Sequence, residues 1–206
     1  MNWPLELLKL YEKHKEKAGT YTTVDNRKVP FLPLFHDTVN AVYEIVLTEN
    51  GELSEIKDVP PDDAVTIVPV YVAFRTSDCC PNALCDNVKY IASTSKYHHA
   101  YMEKLKLWHD SDYSHPTVDA VYSYLSKETV EADLEYFESQ KPKKRKNNNV
   151  NEKEKKLVKT GSFIRFTILY QSPEKKESHC WLDRTLHKQF ISYHNSLDAK
   201  VGLDYL

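Results

Sequence analysis

Residues 40–59, "NAVYEIVLTENGELSEIKDV", alternate apolar and polar side chains, pause at Asn50-Gly51, and resume a weaker alternation. Asn-Gly tolerates the positive φ of a tight turn, so the stretch predicts a β-hairpin. Working outward, "AVTIVPVYVAF" (64–74) reads as a further strand, with Val70, Val72 and Phe74 on one face. Pro69 lacks an N–H for the ladder, which places that strand at an edge or its start beyond the proline. "GSFIRFTILYQS" (161–172) is another strand, with Ile164, Phe166 and Ile168 opposite Phe163, Arg165 and Thr167.

The remaining apolar pattern has helical spacing. Leu5, Leu8 and Tyr11 predict an N-terminal helix packed on the body, and Tyr97, Tyr101, Leu105 and Trp108 a second. Pro116 opens a third, with Val118, Val121, Tyr122 and Leu125 on one stripe, and 129–140 form a fourth. Asp183 is placed to cap a last helix from Arg184 to Ser196, with Leu186, Phe190 and Tyr193 inward. Helices interrupt the strands without regular alternation, so the expected class is α+β, a mostly antiparallel sheet with a hairpin, flanked by several helices.

The chain has 206 residues, a net charge of -2 and four glycines. Charge is uneven: 141–159 carry nine Lys or Arg against two Glu, an excess of seven, so the rest carries nine negative charges. That tract holds almost no apolar side chains, cannot repay ordering entropy, and is expected to be a mobile basic loop. The expected organisation is an α+β region over 1–140, a basic loop over 141–160, and a strand and helix over 161–206 that complete the same domain. "KPKKRK" (141–146) matches a nuclear import pattern, but a solvated loop that brushes against phosphate is an equal reading. The apolar residue-containing end, "KVGLDYL", gives the expectation of a piece of something larger.

No apolar run approaches the roughly 20 residues of a membrane span, and the N-terminus lacks a signal-peptide cleavage site. The expectation is a cytoplasmic protein with reduced thiols. Glycines at 19, 51, 161 and 202 permit neither G-x-G-x-x-G nor the phosphate-binding P-loop. Cys79, Cys80 and Cys85, followed by His98 and His99, supply zinc ligands in number but contain no C-x-x-C pair. A cysteine- or zinc-dependent enzyme on Cys80, Cys85, His98 and His99 is therefore a rival reading, and no metal or cofactor is expected.

The segment "FRTSDCCPNALCDNVKY" (74–90) carries the strongest functional signal. Within one loop after a strand it offers Arg75, Thr76, Ser77, Asn82, Asn87 and Lys89, whose guanidinium, hydroxyl, amide and ammonium groups suit phosphates and base edges. Pro81 stiffens it. The alternative is that Asp86 and Asn87 cap or turn the next segment while Tyr90 and Ile91 pack the core.

This stretch resembles the large subunit of type I-C CRISPR surveillance (Cascade) complexes, which carry a run similar to K-R-T-S-G-x-K-P-N-F-L-C-D-N-x-x-Y. Arg75, Thr76, Ser77, Pro81, Asn82, Leu84, Cys85, Asp86, Asn87 and Tyr90 match in order without gaps; Asp78, Cys80 and Ala83 stand where the family has glycine, lysine and an aromatic. The opening "LLKLYEKHKE", the hairpin, and the later strand and helix are similar as well, so the resemblance spans nearly the whole chain. Members are much longer, so the chain is expected to correspond to an N-terminal domain.

The resemblance implies a non-catalytic binding role: recognition of the protospacer-adjacent motif in double-stranded DNA, contact with the CRISPR RNA 5' handle and other Cascade subunits, and help in recruiting the helicase-nuclease. It assigns Asn82 to a base edge and Arg75, Thr76, Ser77 and Lys89 to phosphate or RNA. Asp86, Asn87 and Tyr90 fix the loop's shape, with Asn87 also placed to touch nucleic acid. Lys143, Lys144 and Arg145 of the basic tract add salt-sensitive attraction. The second rival is a protein-interaction module whose tyrosine-rich surface binds a partner subunit.

Overall fold

The computed structural model describes residues 3–25, 27–72, 80–142, 158–172 and 177–203. Helix α1 (Trp3–His14) leads through a 3-10 turn, Lys15–Lys17, into an antiparallel pair, β1 (Thr20–Val24) and β2 (Arg27–Phe31). A second sheet is built on β3 (His36–Thr48), 13 residues long. It pairs antiparallel with β4 (Leu53–Asp58) and with β5 (Val65–Pro69). The β3–β4 hairpin turns as the sequence predicts: Gly51 has φ +73°, and Thr48 N–H donates to Glu52 O at 2.9 Å. A Cβ on Gly51 would stand 2.6 Å from the Ala120 carbonyl oxygen, so the close approach of a helix also demands glycine there.

After β5 the chain forms helices: the single turn α2 (Val88–Ile91), α3 (His98–His109), α4 (Pro116–Leu125) and α5 (Val130–Gln140). It then returns as β6 (Phe163–Leu169), which runs parallel to β3 and pairs from Ala41↔Phe163 to Thr48↔Leu169. Residues 43–47 thus bond to β4 and to β6, which places β3 between them. The fold is α+β as expected, and the parallel β3–β6 pair is the feature the alternation did not show. A parallel pairing needs a long crossover, which the α2–α5 segment supplies.

Both faces of β3 are covered here: Tyr43 through Leu47 are all buried. Tyr101, Leu105 and Trp108 of α3, and Val118, Val121 and Leu125 of α4, enter the core as their spacing predicts. They meet α6 (Arg184–Leu203), where Trp108 packs edge-to-face on Phe190 at 5.0 Å and stacks on Tyr193 at 6.0 Å. Asp183 caps α6, its Oδ1 accepting from Thr185 N–H at 2.8 Å and Leu186 N–H at 3.1 Å.

Two expectations are corrected. β5 ends at Pro69 instead of extending to Phe74: the last ladder pair is His36↔Pro69, and Val72 is exposed. Phe74 itself lies outside the described residues. Helix α1 has no buried residue, and Leu5 and Leu8 are exposed along with Trp3, Leu7 and Leu10. Tyr11 is its main anchor, stacked on Phe31 at 5.7 Å. Of the expected basic loop, 143–157 lie outside the described residues, while Val158 is buried.

One ionic group is set into this sheet. Arg165 is 2% exposed; its Nε and Nη2 donate to Glu44 Oε2 at 2.9 and 2.7 Å. Nη1 donates to Asp63 O and Nη2 to Asp63 Oδ2, both at 2.8 Å, and the guanidinium stacks 3.7 Å over Trp181. Thr167 Oγ1 fills the other Glu44 oxygen at 2.9 Å. Burial works to raise the Asp63 pKa, but the bonds from Arg165 and Lys28 outweigh it and hold the carboxyl below its usual value. Arg165→Ala leaves Glu44 buried without its partner and should cost about 3–5 kcal/mol in urea unfolding. Arg165→Lys should recover little of this, because an ammonium supplies neither the fork nor the flat stacking face.

Two buried imidazoles make stability pH-dependent. His36 and His187 lie with ring centroids 4.8 Å apart. Burial, then the neighbouring His187, pushes His36 down to about 3; burial, against a restoring pull from the Cys180 carbonyl and with help from Arg184 and His115, pushes His187 down to about 4. As pH falls below the ordinary value of 6.5, the unfolded chain takes up protons that the folded chain refuses. Stability should therefore fall from pH 7 to pH 5 by about 2 kcal/mol for each imidazole. An unfolding midpoint unchanged over that interval contradicts their neutral burial.

Candidate nucleic-acid interface

The chain leaves β5 at Pro69 and is back beside it at Ala83, whose N–H donates to Pro69 O at 3.4 Å. The end of β5 and the turn at Ala83 are thus joined directly; residues 73–79 between them lie outside the described residues. The clamp at that point is Asp86, 0% exposed. Its Oδ2 accepts from Asn82 N–H and its Oδ1 from Asn87 N–H, both at 2.7 Å. A short side chain that holds backbone N–H groups on either side of itself is what makes Asp a turn residue.

The turn is fixed from outside as well. Tyr101 Oη donates to Leu84 O at 2.6 Å, and Ile164 N–H to Asp86 O at 2.9 Å. Val88 and Lys89 N–H donate to Ser162 O and Thr160 O at 2.9 and 2.7 Å. Ala83, Leu84 and Ile91 are fully buried, and Pro81, Cys85 and Tyr90 nearly so. Asn82–Ile91 is therefore a largely buried platform, with Asn87 and Lys89 half-buried.

The structure separates the candidate residues. Asn82 is only 5% exposed, and its Nδ2 donates to Cys85 O at 3.3 Å. Its amide is occupied inside the turn, which departs from the base-edge role expected of it. Asn87 is half-buried and bridges to Phe163, and its Oδ1 is buried without a hydrogen-bond partner. Lys89 is half-buried, with Nζ 4.5 Å over the Tyr97 ring and 5.5 Å over Tyr90. Arg75, Thr76, Ser77, Lys143, Lys144 and Arg145 lie outside the described residues.

Sequence reasoning missed a surface group beside Lys89. Tyr97, expected on the buried stripe of α3, precedes the helix and is half-buried, and the exposed Lys96 sets its Nζ 4.9 Å over the same ring. Two cations beside one aromatic ring make a positively charged patch. Adjacent to it is a hollow of about 290 Å³ that Lys89 shares with Glu131 and Glu135, so the positive surface is bordered by carboxylates.

Two of the residues in the rival thiol reading have other partners. Cys85 lies against Cys180, their Sγ atoms 3.4 Å apart, and His98 Nδ1 meets Ile91 O at 2.9 Å. Among the described residues no group of three or more His, Cys, Asp or Glu could hold a metal ion.

Comparison with known families matches residues 7–204 to the family described as CRISPR-associated protein (Cas_Csd1). The chain belongs to this family of CRISPR-associated proteins. No curated protein matches it. Within the Cas_Csd1 match fall the whole platform, the cation–aromatic patch, and both sheets.

Asp86→Asn replaces one acceptor oxygen by an NH₂ that opposes a backbone N–H. The change should destabilise the chain by about 1–3 kcal/mol in urea unfolding, and Asn82→Ala by about 1 kcal/mol. Wild-type stability in both variants contradicts the platform.

Proposed function

We propose that the chain is a non-catalytic nucleic-acid-binding part of the large subunit of a type I-C Cascade complex. Its task is to engage the protospacer-adjacent motif in double-stranded DNA and the CRISPR RNA handle, beside other Cascade subunits and the helicase-nuclease, in the cytoplasm. Family membership supports the CRISPR setting. The observation that carries the binding reading is the clamp: an Asp86-centred turn brings both ends of the 70–82 segment to one rigid point. In a guide-dependent complex pairing reads the sequence, and the protein need read only a few base pairs. A short segment on a stiff base suits that task.

In this reading Arg75, Thr76 and Ser77 make the contacts to DNA or handle RNA. Lys89, with Lys96 and Tyr97, supports them at the base, and Lys143, Lys144 and Arg145 add sequence-independent attraction. Asn82, Asp86 and Asn87 set the shape. The exposed apolar side chains of α1 favour a protein contact besides, as expected of a subunit in an assembly.

The test is duplex binding by fluorescence anisotropy over a panel of short motifs and a salt series. Arg75→Ala should cost about 1–3 kcal/mol on the preferred motif and flatten the preference. Replacing Lys143, Lys144 and Arg145 together by Ala should weaken all duplexes alike and make the salt slope shallower. Unchanged affinity and preference in both variants would refute this reading and leave a protein-interaction module.

A further inference from the structure

Cys85 and Cys180, 95 positions apart in sequence, touch in the core. Their Sγ atoms are 3.4 Å apart, the residues are 1% and 3% exposed, and both thiols are free. Backbone bonds hold each side. Cys85 sits in the turn closed by Asp86, with its own carbonyl bonded to Asn82. Cys180 follows the Thr167↔His179 bridge and donates its N–H to Phe166 O at 3.2 Å. The Cys85 turn and Cys180 thus lie side by side along the β6 edge that β3 leaves free, at Ile164 and at Phe166, and the two sulfurs meet as a consequence of the fold. A disulfide has an S–S length of about 2.05 Å, so closure needs an approach of roughly 1.4 Å. With no metal-competent group of three or more His, Cys, Asp or Glu among the described residues, thiol–thiol chemistry is what this contact is prepared for.

We infer that Cys85 and Cys180 form an oxidation site, at which a small peroxide closes a disulfide that ties the base of the 70–82 segment to the turn before α6. One thiolate attacks the peroxide O–O bond; an S–O bond forms and hydroxide leaves, taking the thiol's proton as water. The second sulfur then attacks the sulfenic sulfur, the S–S bond forms, the S–O bond breaks, and a second water leaves. The two thiols give up two electrons and hydrogen peroxide is reduced to two waters. The Cys180 contact and burial both hold the Cys85 thiol above its ordinary pKa, so thiolate is scarce at neutral pH and the reaction quickens as pH rises. Burial of both sulfurs also favours hydrogen peroxide over a bulky oxidant such as glutathione disulfide.

The inference stands apart from the nucleic-acid reading, since neither sulfur reaches the surface. The full chain is treated with hydrogen peroxide near pH 8, then unfolded, alkylated, digested and weighed. The expected digest contains a peptide linking Cys85 to Cys180, two hydrogen masses below the sum of its two free peptides and separated by dithiothreitol, while the oxidised chain before unfolding melts several degrees higher. The same link should form in the Cys79→Ser/Cys80→Ser double variant, which keeps the buried pair intact, and not in Cys85→Ser or Cys180→Ser. Linkage through Cys79 or Cys80, oxidation to sulfinic acid without a link, or both buried thiols recovered alkylated overturns the inference.

Discussion

Glu44 and Arg165 are register partners in the parallel β3–β6 ladder, and their side chains join where both are almost fully buried. A guanidinium in that position needs its carboxylates: slipping β6 by one residue would bury an unpaired cation and turn Ile164, Phe166 and Ile168 away from their places. The ion pair adds little net stability over a well-packed apolar pair. What it supplies is register, because each wrong pairing carries a penalty that the right one avoids. Asp63 and Trp181 complete the group from two further turns, so the same residue ties β6 to the approach to β5 and to the approach to α6.

The platform inherits that register. Asp86 O receives Ile164 N–H and Asn87 bridges to Phe163, so the turn is an extension of the β6 edge. The path from sequence to site runs through one buried arginine, a parallel pairing, a carboxylate with two backbone N–H groups, and a segment held at both ends. Rigidity at the base is consistent with reading a short feature of DNA, where an ångström of play would blur one hydrogen-bonding pattern into another. The cations of Lys89 and Lys96 and the ring of Tyr97 gather just after that turn.

Much of the fold was legible in local chemistry. Asn50-Gly51 announced the hairpin, Asp183 the cap of α6, and the stripes of Tyr101, Leu105 and Trp108 and of Leu186, Phe190 and Tyr193 the core faces. The parallel partner of β3 was not legible, because a strand buried on both faces has the same pattern in either direction. Nor was the exposure of α1: periodicity tells which side chains share a face, not whether anything covers it. At the site, an amide suits a base edge and a backbone carbonyl equally, and only the fold showed Asn82 turned inward on Cys85. The Cys85–Cys180 contact, between residues 95 positions apart, left no local signal at all.

The most direct test of the proposed DNA-reading role is amide hydrogen exchange on the full chain, with and without a duplex bearing the preferred motif. The account predicts that the amides of Asn82, Ala83, Asn87 and Lys89 exchange only through near-global unfolding in the free chain, and that duplex adds protection at 73–79. Rapid exchange at Asn82 and Asn87, or duplex-induced protection confined to α1 with none at 73–79, would contradict it.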